Sequence, residues 1–158
     1  MLFRSATLVD PSLTARIQAL KAASGLNEIS GPALEVVLND APRLPGSSLP
    51  AGVTPDDVVV HQQDVQAVVN AMWRGGATAI TVMDQRIIAT TAIRCVGNTL
   101  LLQGRVYSPP FVITAVGDVG ALERALDEEP GVVIYRQYVD KLSLGWRVTE
   151  LRNATLAP

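Results

Sequence analysis

Residues 61–76, HQQDVQAVVNAMWRGG, carry the strongest structural signal of the sequence. Their bulky apolar side chains recur at i, i+3, i+4, i+7 and i+8, the spacing of one buried face of an α-helix: Val65, Val68, Val69, Met72 and Trp73. The carboxylate of Asp64 falls in the first turn, where it meets the positive end of the helix dipole, and Gly75-Gly76 provides a stop. The stretch therefore predicts an amphipathic helix that packs on an apolar layer.

The rest of the chain predicts the strands of that layer and one further helix. Asp118 is expected to cap the second helix, which stops at Pro130-Gly131. Short apolar or alternating segments bounded by turn residues predict strands: residues 34–38, 77–82, 86–89, 92–96, 99–103, 111–116, 132–138 and 146–151. This order predicts an α+β two-layer sandwich. The simplest architecture is a ferredoxin-like α/β plait with an inserted hairpin and an added C-terminal strand.

The domain organisation follows from the same patterns. Residues 1–30 are interpreted as an N-terminal helix, the remnant of a coiled coil or a dimer contact, because its apolar positions form only a narrow stripe: Leu13, Ile17 and Leu20. Residues 31–152 are predicted to be a single α/β domain with a long Pro/Gly loop at 40–57. Residues 153–158 are expected to be a frayed tail.

Composition restricts the possible functions. The chain has 158 residues, 48% of them hydrophobic, and a net charge of −2. Its basic residues are scattered, so no nucleic-acid binding is expected. The single cysteine, Cys95, excludes an internal disulfide. No run approaches the roughly 18 apolar residues of a membrane span, and no signal peptide is recognised. A soluble chain is expected, with membrane attachment only through an anchor outside this sequence.

The sequence offers no recognisable catalytic apparatus. His61 is the single histidine, and we interpret it as part of a helix start. A nucleophilic triad would need Ser108 or Cys95 held against it. Cys95 lies in an apolar strand pattern, where a thiol is most often a small hydrophobe. His61 and Asp64 alone do not make a metal site. We predict no catalytic residue, metal or cofactor, and Trp146 is either core or an exposed anchor.

One polar cluster is predicted as a binding or structural feature: His61, Gln63, Asp64, Arg86 and Arg94. Arginines in apolar strands are expected to be paired or to line a site. One alternative is an anion or carboxylate site. The other is a set of internal salt bridges to Asp64, Asp84 or Asp118. Our specific hypothesis is that Arg94 holds the helix start at His61–Asp64 against the sheet, so that Arg94→Met destabilises the domain.

Several ordered motifs between about Gly31 and Leu151 resemble the bacterial domain of unknown function family 881. They are Val60-His61-Gln62-Gln63-Asp64, Asn70-Ala71-Met72-Trp73, Gly75-Gly76-Ala77, Asp84-Gln85-Arg86, residues 92–99, Ser108-Pro109-Pro110 and Ala115-Val116-Gly117-Asp118. The resemblance implies an extracytoplasmic domain of an envelope protein with a transmembrane helix and a coiled coil. It also implies a ferredoxin-like fold and, for some members, a link to cell division. It brings no catalytic residues.

The sequence therefore leaves two functions from different classes open. The first is a non-enzymatic, extracytoplasmic interaction or scaffolding domain, tethered to the membrane in the parent protein, whose partners are proteins or a second copy of itself. The second is a small-molecule or anion sensor that uses Arg86, Arg94 and Gln63.

Overall fold

The computed structural model describes residues 10–43 and 45–158 and, within them, every side chain except that of Ala22. The first nine residues of the predicted N-terminal segment lie outside the described part. The elements, in chain order, are α1 (Pro11–Ala23), β1 (Ile29–Asn39), a 3₁₀ turn (Pro55–Val58), α2 (Gln62–Arg74), β2 (Ala79–Val82), β3 (Gln85–Ile87), β4 (Ile93–Val96), β5 (Thr99–Leu102), β6 (Arg105–Tyr107), β7 (Phe111–Val116), α3 (Val119–Glu128), α4 (Pro130–Leu142) and β8 (Gly145–Leu156).

Five strands form the main sheet in the order β3-β2-β7-β1-β8. All neighbours are antiparallel, so β1 and β2 run in the same direction on either side of β7. Helix α2 connects β1 to β2, whereas α3 and α4 together connect β7 to β8. The strands β4-β5-β6 form a second, smaller sheet inserted between β3 and β7. The predicted α+β class is confirmed.

The core lies between the three helices α2, α3 and α4 and one face of the main sheet. Strands β1 and β7 contribute every second residue to it, as the alternation of a half-buried strand requires: Leu34, Val36, Leu38, Phe111, Ile113 and Ala115. Ile93, Leu100 and Leu102 from the smaller sheet join the same cluster. With so few aromatic residues, the packing is almost entirely aliphatic, and full burial of each such side chain stabilises the fold by roughly 1.5–3 kcal/mol.

The opposite face of the main sheet, here called the back face, is polar in its middle. The strand register places Thr81, Thr114, Glu35 and Thr149 in one row across four strands. These side chains are half-buried. Because the row is not apolar, the back face does not by itself require a covering partner.

At one end of the back face, the start of β1 and the end of β8 cover the sheet. Strands β1 and β8 continue as a two-stranded ribbon in which Ile29 pairs with Leu156, beyond a register shift at Gly31/Ala33. Leu156 is buried against Ala79 and Val116. The prediction of a frayed tail is therefore wrong for residues 153–156, because they belong to β8 and residues 154–156 pair with β1.

Residues 132–138 are helical, so the strand predicted there is wrong. The run Val-Val-Ile has high β-propensity, which favoured a strand. Pro130 occupies the first helical position, however, and Val132 and Tyr135 are buried while Val133 and Ile134 are exposed. This three-residue spacing is helical. As a result β8 is the strand that follows the helical connection from β7, and the strand at 146–151 is not an additional one.

Other local predictions are confirmed. His61 is the N-cap residue of α2, and Asp118 caps α3 by accepting a hydrogen bond from the backbone N–H of Ala121 at 3.0 Å. The two predicted hairpins are present as β2–β3 and β4–β5. Within residues 10–43 and 45–158, no helix is both long enough and apolar enough to cross a bilayer.

Candidate functional site

His61, Gln63 and Asp64, at the start of α2, line one pocket of about 280 Å³. Helix α4 and the 3₁₀ turn also line it. The other lining residues are Asp56, Asp57, Val59, Ile134, Tyr135, Tyr138 and Leu144. The pocket therefore combines three carboxylates and one imidazole with a partly aromatic wall.

Hydrogen bonds at the helix start fix the polar side of this pocket. The backbone N–H of His61 donates to Asp64 Oδ2 at 2.8 Å, and the imidazole Nε2 lies 3.1 Å from Asp56 Oδ1. Burial raises the pKa of the Asp64 carboxyl, against the smaller lowering effect of the bond from His61. The hydrogen bond holds the carboxyl in place, whereas burial destabilises its charged form.

Tyr135 joins the pocket to the sheet. Its hydroxyl donates to the carbonyl of Gly145 at 2.6 Å, and burial raises its pKa, with a further contribution from the nearby charge of Asp64. Sequence reasoning missed Tyr135, Ile134 and Tyr138 because it assigned their segment to a strand. The buried spacing of Val132 and Tyr135 after a proline was the available signal.

A second concavity of about 300 Å³ continues the first along α4, and the two share Asp57 and Tyr138. It is lined by Gly52, Val53, Gln137, Lys141 and Leu142 as well. We call the two together the α4 groove. One wall is α4 from Ile134 to Leu142, and the other is the segment 52–64. The groove is acidic at the His61 end and carries Lys141 at the other.

The two arginines of the predicted cluster lie elsewhere. Arg86 is on the back face and is buried, with Nη1 donating to the carbonyls of Asn27 at 2.8 Å and Ala157 at 3.2 Å. Arg94 is exposed and lines none of the described pockets. The structure thus brings His61, Gln63 and Asp64 together, but not with Arg86 or Arg94. No shared arginine-lined anion site is formed by the described residues.

Cys95, and not Arg94, joins the start of α2 to the smaller sheet. The backbone N–H of Gln62 donates to Cys95 Sγ at 3.0 Å, and the backbone N–H of Cys95 donates to Gln62 Oε1 at 3.2 Å. Cys95 is exposed, so its expected role as core filler is wrong. The reciprocal pair explains why: the thiol faces the helix terminus and lies outside the core.

The described residues do not assemble a nucleophilic triad. The His61 imidazole faces Asp56 and Asp64, and neither Ser108 nor Cys95 lines its pocket. Among the described residues, no group of three or more His, Cys, Asp or Glu side chains is placed to hold a metal ion. Trp146 is partly buried, with its ring 5.8 Å from that of Tyr135 and the guanidinium of Arg136 over it. The observed contacts of His61 and Trp146 are those of helix capping and side-chain packing.

A model of the family described as "Bacterial protein of unknown function (DUF881)" matches residues 16–158. The chain belongs to the DUF881 family. It is 31% identical over 135 residues to UPF0749 protein Rv1823 of Mycobacterium tuberculosis, covering 84% of this chain and 43% of the relative. It is 30% identical over 105 residues to UPF0749 protein YlxW of Bacillus subtilis, covering 66% and 43%. The chain spans less than half the length of the curated relatives it matches.

The fold of this DUF881 chain is also similar to a solved structure. That structure is described as the crystal structure of an uncharacterized conserved protein from Mycobacterium tuberculosis. It matches with a TM-score of 0.69 and 22% identity over 90% of each chain. At this identity the likeness shows the fold alone. The family description names no enzymatic activity.

The Cys95–Gln62 pair leads to a prediction about stability in this DUF881 chain. Arg94→Met is expected to leave the Tm unchanged within about 2 °C, because the side chain is exposed and has no described partner. Gln62→Met is expected to lower the Tm by roughly 3 °C, because it removes a hydrogen bond worth about 1 kcal/mol. Thermal unfolding followed by circular dichroism measures both. A larger loss of Tm for Arg94→Met than for Gln62→Met would support the hypothesis that Arg94 holds the start of α2 against the sheet.

Proposed function

We propose that this chain is a non-enzymatic protein-interaction module and that α1 is its main contact element. The observation that carries the proposal is the exposure of α1. Each of its described side chains is exposed, including the apolar stripe of Leu13, Ile17 and Leu20, at 48%, 41% and 68%. The spacing of this stripe is typical of a seam between two helices.

The length of α1 supports the same function. A helix of 13 residues is only marginally stable in water by itself, because the cost of nucleation is spread over few hydrogen bonds. Most helices of this length are stabilised by burying an apolar face against another element. In α1 the described part of the chain does not provide that burial, so a second protein surface is favoured.

The proposal is tested by the self-association of the full chain. Sedimentation velocity is expected to show an oligomer that dissociates on Leu13→Glu with Ile17→Glu, since two charges then interrupt the stripe. The control is Ala15→Glu with Ala19→Glu, which adds the same charge to the opposite side of the same helix and is expected to leave the oligomer intact. A chain that sediments as a monomer at every concentration contradicts self-association through α1.

We further propose that the module acts outside the cytoplasm, in a membrane-tethered envelope protein that serves a division-related assembly. The support is the sequence resemblance, together with curated relatives of which this chain covers only 43%. The remaining length leaves room for an anchor and a coiled coil. Alkaline phosphatase fused after Pro158 in the parent protein is expected to be active, because the enzyme matures only outside the cytoplasm. An inactive fusion that is stably produced contradicts this location.

For the fold, we propose that the main sheet and its helices form a ferredoxin-like plait. The support is the order β2-β7-β1-β8, in which two β–helix–β crossovers interleave. The smaller sheet β4-β5-β6 is then the insertion, more elaborate than a single hairpin.

A further inference from the structure

The α4 wall of the groove exposes apolar side chains over the length of a short helix. From Ile134 to Leu142 the wall of the groove rises about 12 Å, at 1.5 Å per residue. Ile134 and Tyr138 on this wall are 55% and 39% exposed. The stripe from Leu13 to Leu20 on α1 covers about 10 Å by the same measure. The apolar stripe of α1 and the α4 wall of the groove therefore match in length.

The charges of the two surfaces are complementary. Helix α1 contains Arg16 and Lys21 and no Asp or Glu. At 100° per residue along the helix, Arg16 lies on one side of the apolar stripe and Lys21 lies on the other. The groove presents Asp56, Asp57 and Asp64 at one end, and Asp56 is 84% exposed. Lys141 at the other end of the groove disfavours a cation there.

The helix of the same copy is held away from this groove. Arg86 lies on the back face of the sheet, opposite the face that α2, α3 and α4 cover, and binds the carbonyl of Asn27 just after α1. A Cβ at Gly25 would lie 3.4 Å from Arg86 Cγ and 3.3 Å from Ile88 Cγ2, so the turn that follows α1 packs at this site. The connection from α1 therefore enters on the wrong side of the sheet for its own groove.

We propose that α1 of a second copy occupies the α4 groove, with its apolar stripe on Ile134 and Tyr138 and its cations near the carboxylates of Asp56 and Asp57. Reciprocal exchange of the two helices closes a twofold dimer with two identical contacts. This inference rests on the proposed function, in which α1 is the contact element, and it names the surface that receives the helix.

The first test compares two neighbouring residues of α4 in the full chain. Ile134→Glu places a charge in the groove and is expected to weaken the dimer at least tenfold in sedimentation velocity. Val133→Glu is the matched control, because Val133 is similarly exposed, at 44%, but lines neither concavity of the groove. It is expected to change the dissociation constant less than threefold. Circular dichroism confirms that both variants fold.

The second test uses the unaltered sequence. The chain has two lysines, Lys21 and Lys141, so an amine-to-carboxylate crosslink from α1 is unambiguous. Equal amounts of unlabelled and ¹⁵N-labelled chain are mixed and treated with a zero-length carbodiimide crosslinker. Mass spectrometry is expected to find Lys21 joined to Asp56 or Asp57 in peptide pairs of mixed isotope.

Each outcome decides between the two proposals. Suppose the stripe variants dissociate the dimer while Ile134→Glu does not, and Lys21 forms no mixed crosslink to the groove. Then α1 pairs with another surface, the groove is overturned as its site, and the proposed function stands. If neither the stripe variants nor the groove variants alter sedimentation, both proposals fail. Loss of the dimer in both sets, with the mixed crosslink present, supports both.

Discussion

Arg86→Met is expected to lower the free energy of unfolding by about 3 kcal/mol, since hydrogen bonds from a charged donor contribute roughly 1.5–3 kcal/mol each. Arg86 is the single buried charged residue in the part of the chain that the structure describes, at 8% exposed. It donates to the carbonyls of Asn27, which precedes β1, and Ala157, which follows β8. Burial lowers its pKa, as expected where water is excluded. A methionine would fill the space but leave both carbonyls without this donor.

Arg105→Met is the control for this effect. Arg105 lies 3.5 Å from Asp84, and both side chains are about two-thirds exposed, at 67% and 64%. A surface pair of this kind is expected to contribute less than about 1 kcal/mol. Urea unfolding followed by circular dichroism measures both variants. Equal losses for Arg86→Met and Arg105→Met would show that Arg86 does not fasten the segments next to β1 and β8.

Gly131→Ala is expected to destabilise the fold by about 2 kcal/mol, although alanine is the better helix former, because overpacking a close contact costs roughly 1–3 kcal/mol. A Cβ at Gly131 would lie 2.7 Å from the Cβ of Ala67, where α4 crosses α2. Neither atom is at the end of a flexible side chain. The two helix backbones must therefore separate, and the pocket between them changes shape.

Gly120→Ala is a matched control with the opposite expected sign. Gly120 is the second residue of α3, as Gly131 is of α4. A Cβ there would meet its nearest neighbours at 3.4 Å, an ordinary contact distance. With no clash, the smaller backbone entropy of the unfolded chain should stabilise the protein by about 0.5 kcal/mol. Thermal and urea unfolding measure the pair. A loss of stability for both variants, or for neither, contradicts the close helix crossing.

Local sequence rules predicted the elements whose stabilising contacts are close in sequence. The periodicity of α2 and the carboxylate cap of α3 at Asp118 are of this kind, and both are confirmed. The same rules failed for α4, because its β-branched run favours a strand and only tertiary burial of Val132 and Tyr135 decides for a helix. The sequence therefore did not predict the α4 groove, because most of the α4 wall was assigned to a strand.

The candidate site shows the same limit. His61 and Asp64 are three residues apart, and their joint role at a helix start could be predicted. Two acceptors of Arg86 are 59 and 71 residues away in sequence and are backbone carbonyls, which carry no side-chain signature. The hypothesis for Arg94 was wrong by one position. Cys95 makes the contact with the start of α2, because neighbouring residues of a strand point to opposite faces of the sheet.

The most direct test of α1 as a contact element is amide hydrogen exchange of the full chain across a concentration series. An isolated 13-residue helix exchanges quickly, whereas a helix packed on a second copy is protected. We expect the amides of residues 14–23 to become slower as the concentration rises through the dimer range, while those of β1 and β7 stay constant. Equal exchange of the α1 amides at all concentrations, whether fast or slow, would contradict the account.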